Sequence, residues 1–520
     1  MKKVKKLMAL LLSMIMVFAM SVTAFAANTT NGNLTVNLQN GSLKNQRIYL
    51  FKLFDYKSVN PAKYTVNDKY KTQLQTVLKT SSTESYDLYS AIVALGKDNS
   101  ESVQNFANDF TKEVIKDGSI VGTQETDYKI ADVIAEGTSY VFENVTPGYY
   151  LVYLGGSVSI QSSLVTVNGN TSVNLKSTTP IPDKKGDKPS VNIGDVITYT
   201  VDFTIPDITG YMQDTYVFTL KDTLSDGLDF VKSAADKTVV TAGNLEVSVK
   251  IDNNNAMNMN ATVTGRTLTL DLKQTVIENQ EPKGQKVTVT YYAQVNENAE
   301  TGGTSNSAKL EYTNNPTTGE TGESTPDVVE TPTFDIKVHK YEQGKDTEYL
   351  ANATFQLHKE KPNGTVIKMV DESTNGKYTV AKDQEKATVT ELKTAAEQIG
   401  GTGANLQIYG LAEGTYYLVE TNAPEGFTDL YGVVKIVITK DETPAGYSIT
   451  AQVEDPEGMG TGIMPTPLDT KGNVISIENK RGTVLPGTGG MGTVIFTVAG
   501  ILLILGVGAS FVISRKRKTE

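Results

Sequence analysis

Short runs in which every second residue is apolar constrain the fold of this chain more than any other feature. Alternation of this kind gives a β-strand one apolar face. It recurs at intervals of several residues between turn-forming residues, for example over residues 196–205, 245–251 and 287–295. The pattern predicts a mainly β protein built from three tandem immunoglobulin-like β-sandwich domains.

The 520 residues are too many for one core, and the β-rich sequence divides into three regions. We expect an N-terminal domain over residues 27–176, a middle domain over 177–313 and a C-terminal domain over 334–481. Residues 314–333 are rich in Thr, Pro, Gly and Glu, which is typical of a linker.

The N-terminal region also contains a helical pattern. Val103, Phe106 and Phe110 recur at helical spacing, and Asp98 or Ser100 could cap the start of the helix. We therefore expect a helical insertion between the strands of this first domain.

The first 26 residues are typical of a secretory signal peptide. Four lysines precede an apolar run over residues 7–22, and Ala24 and Ala26 supply the small residues that a signal peptidase needs. Cleavage is expected after Ala26. An uncleaved membrane anchor is the alternative, but the apolar run is short for a membrane span.

The C-terminal segment, residues 482–520, contains a longer apolar run over 491–513, followed directly by basic residues 515–518. This run is long enough to form a transmembrane helix, and the basic cluster would stay on the cytoplasmic side. Immediately before it stands the pentapeptide Leu485, Pro486, Gly487, Thr488 and Gly489.

The pentapeptide, span and basic tail together resemble the sorting signal of sortase substrates in Gram-positive bacteria. The resemblance implies that a cysteine transpeptidase cuts between Thr488 and Gly489 and holds Thr488 as a thioester until an amine resolves it. The alternative is a plain single-pass membrane protein with a chance motif.

Composition argues against several functional classes. The net charge of −11 and the absence of a basic stripe disfavour nucleic-acid binding. With only two histidines and no cysteine, the chain offers no evident metal site, cofactor site or catalytic set, so we expect no enzyme. In an exported protein, the lack of cysteine also excludes disulfides as a means of stabilisation.

Three polar groups fall on apolar strand faces in the C-terminal region. Lys340 shares strand parity with Ile336 and Val338, Asn479 follows the alternation of residues 475 and 477, and Glu420 follows that of 416 and 418. An amine, an amide and a carboxyl group on buried faces are costly unless they pair or react.

Intramolecular amide formation would resolve this cost. Burial favours a neutral Lys340 amine, which is a nucleophile, and a protonated Glu420, which can transfer protons to the Asn479 amide. Ammonia would leave, and an isopeptide bond would join the first strand of the domain to the last. The alternative is a buried Lys–Glu pair with Asn479 hydrogen-bonded nearby.

The C-terminal region resembles the collagen-adhesin B-type domain. The stretches that carry the resemblance are residues 336–340, 350–355, 417–427 and 477–480, with Asn352 where that family usually has Gly. The family forms such an isopeptide bond, with Lys340, Asn479 and Glu420 at the matching positions.

The middle region shows a similar but less clear pattern. Asp222 shares a face with Phe218 and Leu220, and Asn306 aligns with alternating apolar residues up to 312. Residues 222–228 and 306–312 resemble the isopeptide-forming middle domain of fimbrial subunits, with Asp222 as the acid. The alternation does not decide whether Lys184 or Lys185 is the lysine that would form the bond. The spacing in the family favours Lys184. An ordinary turn Asp and a capping Asn are the alternative.

The N-terminal region lacks the acid, since Tyr153 stands at the place that Glu420 takes in the related stretch 414–420. We expect no such bond there.

Nearly the whole chain resembles the three-domain backbone pilins of Gram-positive bacteria. In that family an exposed lysine at the first domain junction attacks the sortase thioester of the next subunit, and Lys176 occupies this place. The usual Tyr-Pro before that lysine is replaced here by Asn174 and Leu175.

The resemblance implies a shaft subunit on a cell-wall-anchored surface pilus. Its implied partners are a pilin sortase, a housekeeping sortase, identical subunits, minor pilins and peptidoglycan, with host surface ligands as a further class. A monomeric wall-anchored adhesin or a minor pilin is the alternative, and a wall-anchored enzyme is disfavoured.

Overall fold

The computed structural model describes residues 30–482 except 40–42, 44–45, 60–61, 97–99, 117, 132–133, 135–136, 156–160, 176–179, 283, 300–302, 317–318, 373–374, 444–445 and 457–463. The expected signal peptide, Lys176 and the sorting signal with its apolar span lie outside the described residues. None of the helices within the described ranges has the length and apolar character needed to cross a membrane.

The N-terminal region forms two sheets. Strands β1, β7 and β10 form one, in the order β10-β1-β7, and the other has the order β3-β2-β8-β9 with β6 against β2, while β4 and β5 form a small separate ribbon. The strands are β1 Gly32–Leu38, β2 Ile48–Val59, β3 Ala62–Val66, β4 Ile115–Lys116, β5 Ser119–Ile120, β6 Tyr128–Ile130, β7 Ser139–Val145, β8 Gly148–Leu154, β9 Gln161–Val167 and β10 Thr171–Leu175.

A helical insertion packs on the second of these sheets, as the sequence predicted. Its helices are α1 Lys71–Leu78, α2 Ser85–Val93 and α3 Glu101–Val114. The Ser100 side chain accepts a hydrogen bond from the Val103 backbone N–H and so caps α3. Phe110 of α3 meets Phe51 of β2 edge-on, with 5.9 Å between ring centroids, in an aromatic core.

The first and last strands of the N-terminal region pair in parallel and have closely similar sequences. Residues 32–38 read GNLTVNL and residues 169–175 read GNTSVNL. In this pairing Val36 lies opposite Val173 and Leu38 lies opposite Leu175. Their apolar side chains are buried, so the ends of the region are held together by hydrophobic contact.

The middle region is built from a sheet with the order β11-β12-β18-β15-β16-β17-β13-β19-β20, with β14 paired to β18 and β21 paired to β19. Phe203 of β12 faces Phe218 of β13 across the core, with 5.5 Å between ring centroids. The elements are β11 Asp183–Gly186, β12 Val196–Thr204, β13 Phe218–Leu224, β14 Leu228–Val231, β15 Ala242–Ile251, β16 Met257–Thr264, β17 Thr267–Asp271, α4 Lys273–Glu278, β18 Lys286–Val295, β19 Thr304–Thr313, β20 Thr321–Glu323 and β21 Asp327–Thr331.

The segment 314–333, expected to be a linker, contains β20 and β21, and both pair antiparallel with β19. Thr304 lies opposite Thr331, and Tyr312 lies opposite Gly322. The segment is therefore part of the middle sheet. Its polar composition suits a strand at the sheet edge, where only some of the side chains are buried.

The C-terminal region contains two sheets with the orders β24-β25-β27-β22-β32 and β26-β23-β28-β29-β30-β31. Their inner faces bury a core that includes Ile336, Phe355 and Leu418. The elements are β22 Phe334–Glu342, β23 Thr354–Lys359, β24 Met369–Asp371, β25 Lys377–Val380, β26 Leu392–Lys393, β27 Leu406–Leu411, β28 Gly414–Asn422, β29 Val433–Lys440, β30 Tyr447–Glu454, β31 Thr466–Pro467, a 3₁₀ turn Lys471–Asn473 and β32 Val474–Asn479.

By internal contacts the chain divides into two compact units. Of the described residues, those up to 189 together with 195–298 and 303–331 form the first unit, and those of 190–194, 299 and 332–482 form the second. The sheets of the N-terminal and middle regions thus lie in one unit. Within it, the Gln46 side chain donates a hydrogen bond of 3.1 Å to the Tyr312 hydroxyl.

Candidate functional site

The C-terminal region brings its predicted lysine, amide and acid together. Lys340 lies on β22, Asn479 ends β32, and these two strands are parallel neighbours in one sheet. Glu420 lies on β28 of the opposite sheet. Because each follows the apolar parity of its strand, all three side chains point into the core, as the sequence predicted.

These three groups are in direct contact. The Lys340 amine donates to the Asn479 Oδ1, and its Nζ lies 3.3 Å from Glu420 Oε1. The Asn479 Nδ2 donates to that same carboxyl oxygen at 3.0 Å. The side chains of Lys340 and Glu420 are both fully buried. We refer to Lys340, Asn479 and Glu420 as the C-terminal triad.

Burial makes the Lys340 amine a better nucleophile. Loss of water lowers its pKa to about 8, and the nearby Glu420 carboxylate offsets only part of that change. The Phe355 ring lies 5.6 Å from the amine and contributes to its apolar surroundings. A neutral amine beside an amide carbonyl is the arrangement that nucleophilic attack needs.

In the middle region, Lys184 is the buried one of the two candidate lysines. It lies on β11 with its side chain turned inward, whereas the side chain of its neighbour Lys185 is 59% exposed and pairs with Asp183. The strand pairing sets this choice, because Lys184 lies opposite the buried Val201 of β12.

Lys184, Asp222 and Asn306 converge in the core of the middle region, and we call them the middle triad. The Lys184 Nζ lies 2.5 Å from Asp222 Oδ2, and both side chains are fully buried. Asp222 lies on β13, and Asn306 lies on the adjacent strand β19. The two strands are antiparallel, and both residues are near the end of their pairing. Asn306 is also buried.

A fourth residue, Tyr291 of β18, joins the middle triad. Its hydroxyl donates to Asp222 Oδ2 at 2.5 Å, accepts from the Lys184 amine, and accepts from Asn306 Nδ2 at 3.3 Å. Tyr291 was not among the site residues predicted from the sequence. The signal was present, because Tyr291 shares strand parity with the buried Val289 and Ala293.

Burial shifts both charged members of the middle triad towards their neutral forms. It lowers the pKa of the Lys184 amine and raises the pKa of the Asp222 carboxyl, and their mutual attraction opposes both changes. The rings of Tyr199 and Tyr291 lie 4.6 and 4.9 Å from the amine. The site thus holds an amine, an amide and a carboxyl group away from water.

The N-terminal region has no carboxyl group at the corresponding place. Tyr153 of β8 is buried and stacks on Tyr49 of β2, with 5.5 Å between ring centroids. Burial raises the pKa of the Tyr153 hydroxyl well above its usual value. This position therefore contributes to the aromatic core.

Two protein families match the C-terminal part of the chain. A family described as a prealbumin-like fold domain (SpaA) matches residues 334–452, and the LPXTG cell wall anchor motif matches residues 477–520. The predicted sorting signal is thus confirmed as a cell wall anchor. No curated protein matches the chain.

Several solved structures are similar to this chain. The T6 backbone pilin of serotype M6 Streptococcus pyogenes is 13% identical, with 88% of this chain and 100% of that chain covered and a TM-score of 0.43. The full-length major pilin SpaD of Corynebacterium diphtheriae is 16% identical, with 88% and 99% covered and a TM-score of 0.41. The major pilin SpaA of the same species is 15% identical, with 86% and 100% covered and a TM-score of 0.42.

The two family matches cover the part of the chain that resembles a cell-wall-anchored pilin domain at its C-terminal end, residues 334–452 and 477–520. The anchor motif shows that the chain is a surface protein attached to the cell wall. Two buried triads, each of an amine, an amide and a carboxyl group, are the chemically distinctive feature of the described residues.

Proposed function

We propose that this cell-wall protein is the shaft subunit of a covalently polymerised surface pilus. In this proposal a pilin sortase joins Thr488 of one copy to Lys176 of the next, and a housekeeping sortase attaches the finished polymer to peptidoglycan. Minor pilins would complete the fibre. The observation that carries the proposal is the pair of buried triads in a chain that ends in a cell wall anchor.

Each triad is suited to forming an isopeptide bond without an enzyme. In the C-terminal triad, the neutral Lys340 amine attacks the Asn479 side-chain carbonyl carbon while the Glu420 carboxyl group transfers protons. The Lys340 nitrogen loses a proton, the Asn479 nitrogen gains one, and ammonia leaves. The middle triad offers the same exchange between Lys184 and Asn306.

Such bonds suit a protein that carries tension. The C-terminal bond would join residues 139 positions apart, which closes almost the whole domain into one loop. In the chain-entropy model, a loop on the order of 100 residues stabilises the folded state by about 5 kcal/mol. The bond needs no thiol, and the chain has no cysteine.

The polymer is tested in cell-wall extracts from cells that make the full chain. We expect a ladder of species that resists boiling in detergent and reacts with antibody to this protein. Lys176→Ala should collapse the ladder to a single band. Lys185→Ala, which removes an exposed lysine nine positions away, should leave the ladder intact.

A ladder that survives Lys176→Ala would show that another amine accepts the thioester. A single band from the unaltered chain would contradict the shaft role. That result would favour a monomeric wall-anchored adhesin or a minor pilin with the same domains.

A further inference from the structure

The two triads differ in how the acid reaches the amide nitrogen. In the C-terminal triad, Asn479 Nδ2 donates directly to Glu420 at 3.0 Å. In the middle triad, Asn306 Nδ2 donates to the Tyr291 hydroxyl at 3.3 Å, and that hydroxyl donates to Asp222 at 2.5 Å. A tyrosine hydroxyl thus lies between the acid and the leaving group in one site only.

The acids of the two triads also differ in side-chain length. Aspartate is one methylene shorter than glutamate, so its carboxyl group stays closer to its own strand. Asp222 contacts the Lys184 amine at 2.5 Å and lies close enough to the Asn306 side chain for that amide to offset part of the rise that burial causes in the pKa of the carboxyl group. The hydrogen bond that Asn306 Nδ2 donates goes to the Tyr291 hydroxyl.

We propose that Tyr291 is a catalytic residue of the middle triad, relaying a proton from Asp222 to the departing nitrogen of Asn306. This inference rests on the proposed isopeptide chemistry. Tyr291 touches both reacting groups, because its hydroxyl oxygen accepts hydrogen bonds from the Lys184 amine and from Asn306 Nδ2.

The relay balances without any further reactant. Lys184 Nζ forms a bond to the Asn306 side-chain carbon, and the bond from that carbon to Nδ2 breaks. Tyr291 gives its proton to Nδ2, which leaves as ammonia, and takes one from the Asp222 carboxyl group. Asp222 regains a proton from the Lys184 nitrogen, which lies in contact with it.

Tyr199 provides a matched control for Tyr291. Both tyrosines are buried, their rings stack with centroids 5.8 Å apart, and both lie within 5 Å of the Lys184 amine. The Tyr199 hydroxyl makes no hydrogen bond to a member of the middle triad. Removing each hydroxyl in turn separates proton transfer from packing.

The test follows bond formation in the full chain after synthesis in a cell-free system. At timed intervals the chain is digested with trypsin, and mass spectrometry measures the branched peptides that join Lys184 to Asn306 and Lys340 to Asn479. Tyr291→Phe should slow formation of the first peptide by about a hundredfold, a typical loss for a proton-transfer group. Tyr199→Phe should leave its rate unchanged.

The second branched peptide is an internal control, because its triad contains no tyrosine. Its rate should be the same in all these variants. Asp222→Glu combined with Tyr291→Phe should recover much of the lost rate, since a longer acid can bring its carboxyl oxygen closer to the amide nitrogen. Tyr291→Phe reacting at the unaltered rate would overturn the inference.

A measurement on the unaltered chain covers the case in which Tyr291→Phe fails to fold. A relay moves more protons in one step than direct transfer does, so the middle bond should slow more in heavy water than the C-terminal bond. Equal slowing would overturn the relay. If the unaltered chain gave no branched peptide at either site, the proposed isopeptide chemistry itself would fail, which is a different result.

Discussion

The N-terminal and C-terminal regions place their first and last strands side by side in parallel but hold them differently. In the N-terminal region, Leu38 of β1 lies opposite Leu175 of β10, and both are buried. In the C-terminal region, the inward positions near the ends of β22 and β32 are Lys340 and Asn479. The N-terminal region is closed by an apolar contact, whereas in the C-terminal region a buried lysine amine contacts an asparagine amide.

The strand that would supply the acid shows the same contrast. Residues 148–153 and 414–420 have similar sequences, and they end in Tyr153 and Glu420. Tyr153 stacks in an aromatic core, whereas Glu420 contacts both Lys340 and Asn479. Similar strand pairing is therefore compatible with two kinds of closure, and a few inward-facing residues decide between them.

The largest effect is expected from removing the acid of the C-terminal triad. Glu420→Ala should leave Lys340 and Asn479 unjoined, so the intact chain should be heavier by one ammonia than the substitution alone predicts. The C-terminal unit should lose about 5 kcal/mol in its free energy of unfolding, because its loop is no longer closed. Intact mass and thermal unfolding measure the two results.

Glu425→Ala is the control for this change, since Glu425 is an exposed carboxylate on the following loop. Its mass should change only by the substitution itself, and its unfolding temperature should stay the same. A Glu420→Ala chain whose mass changed only by the substitution itself would contradict the role given to the acid.

A smaller effect is expected from the apolar closure. Leu175→Ala should destabilise the N-terminal region by about 2 to 5 kcal/mol, as is usual when a buried leucine is truncated. The mass should change only by the substitution itself. Urea unfolding followed by limited proteolysis of this region measures the loss.

Ser172→Ala, on the exposed face of the same strand, should stay within about 0.5 kcal/mol of the unaltered chain. A Leu175→Ala chain as stable as the Ser172→Ala chain would show that β10 does not hold the region closed.

The smallest effect is a dependence on pH that only the reacting region should show. Because burial lowers the pKa of Lys340 to about 8, the neutral and reactive amine predominates only above that pH. Formation of the Lys340–Asn479 peptide should slow by about tenfold for each pH unit below about 8. Timed digestion of freshly made chain, from about pH 6 to about pH 9, measures the rate.

The folding of the N-terminal region, followed by protease resistance in the same samples, should show no such slope. A flat rate for the Lys340–Asn479 peptide between pH 6 and 8 would mean that loss of the amine proton does not limit the reaction.

Strand parity was enough to predict the C-terminal triad because each member follows a clear apolar alternation. It was not enough to choose between Lys184 and Lys185, since β11 is four residues long and has no apolar side chain to mark its inner face. Only its pairing with β12 fixes which lysine turns inward.

Other features could not be predicted from local sequence. The polar segment 314–333 forms strands because β19 offers an edge to pair with, which is a tertiary effect. Helix α1 buries only Leu74 and so shows a weak helical pattern. Tyr291 could have been placed inward, but its contact with Asp222 depends on how β18 and β13, which are not neighbours in the sheet, approach each other in the core.

The parallel pairing of β22 with β32 also bears on how the C-terminal region tolerates change. Once Lys340 and Asn479 are joined, a stretching load that enters at Phe334 follows β22 to Lys340 and leaves directly through Asn479. Residues 341–478 would then carry none of the stretching force. In the proposed polymer, insertions in the surface loops of this stretch would not weaken the load-bearing path, which leaves these loops free to vary.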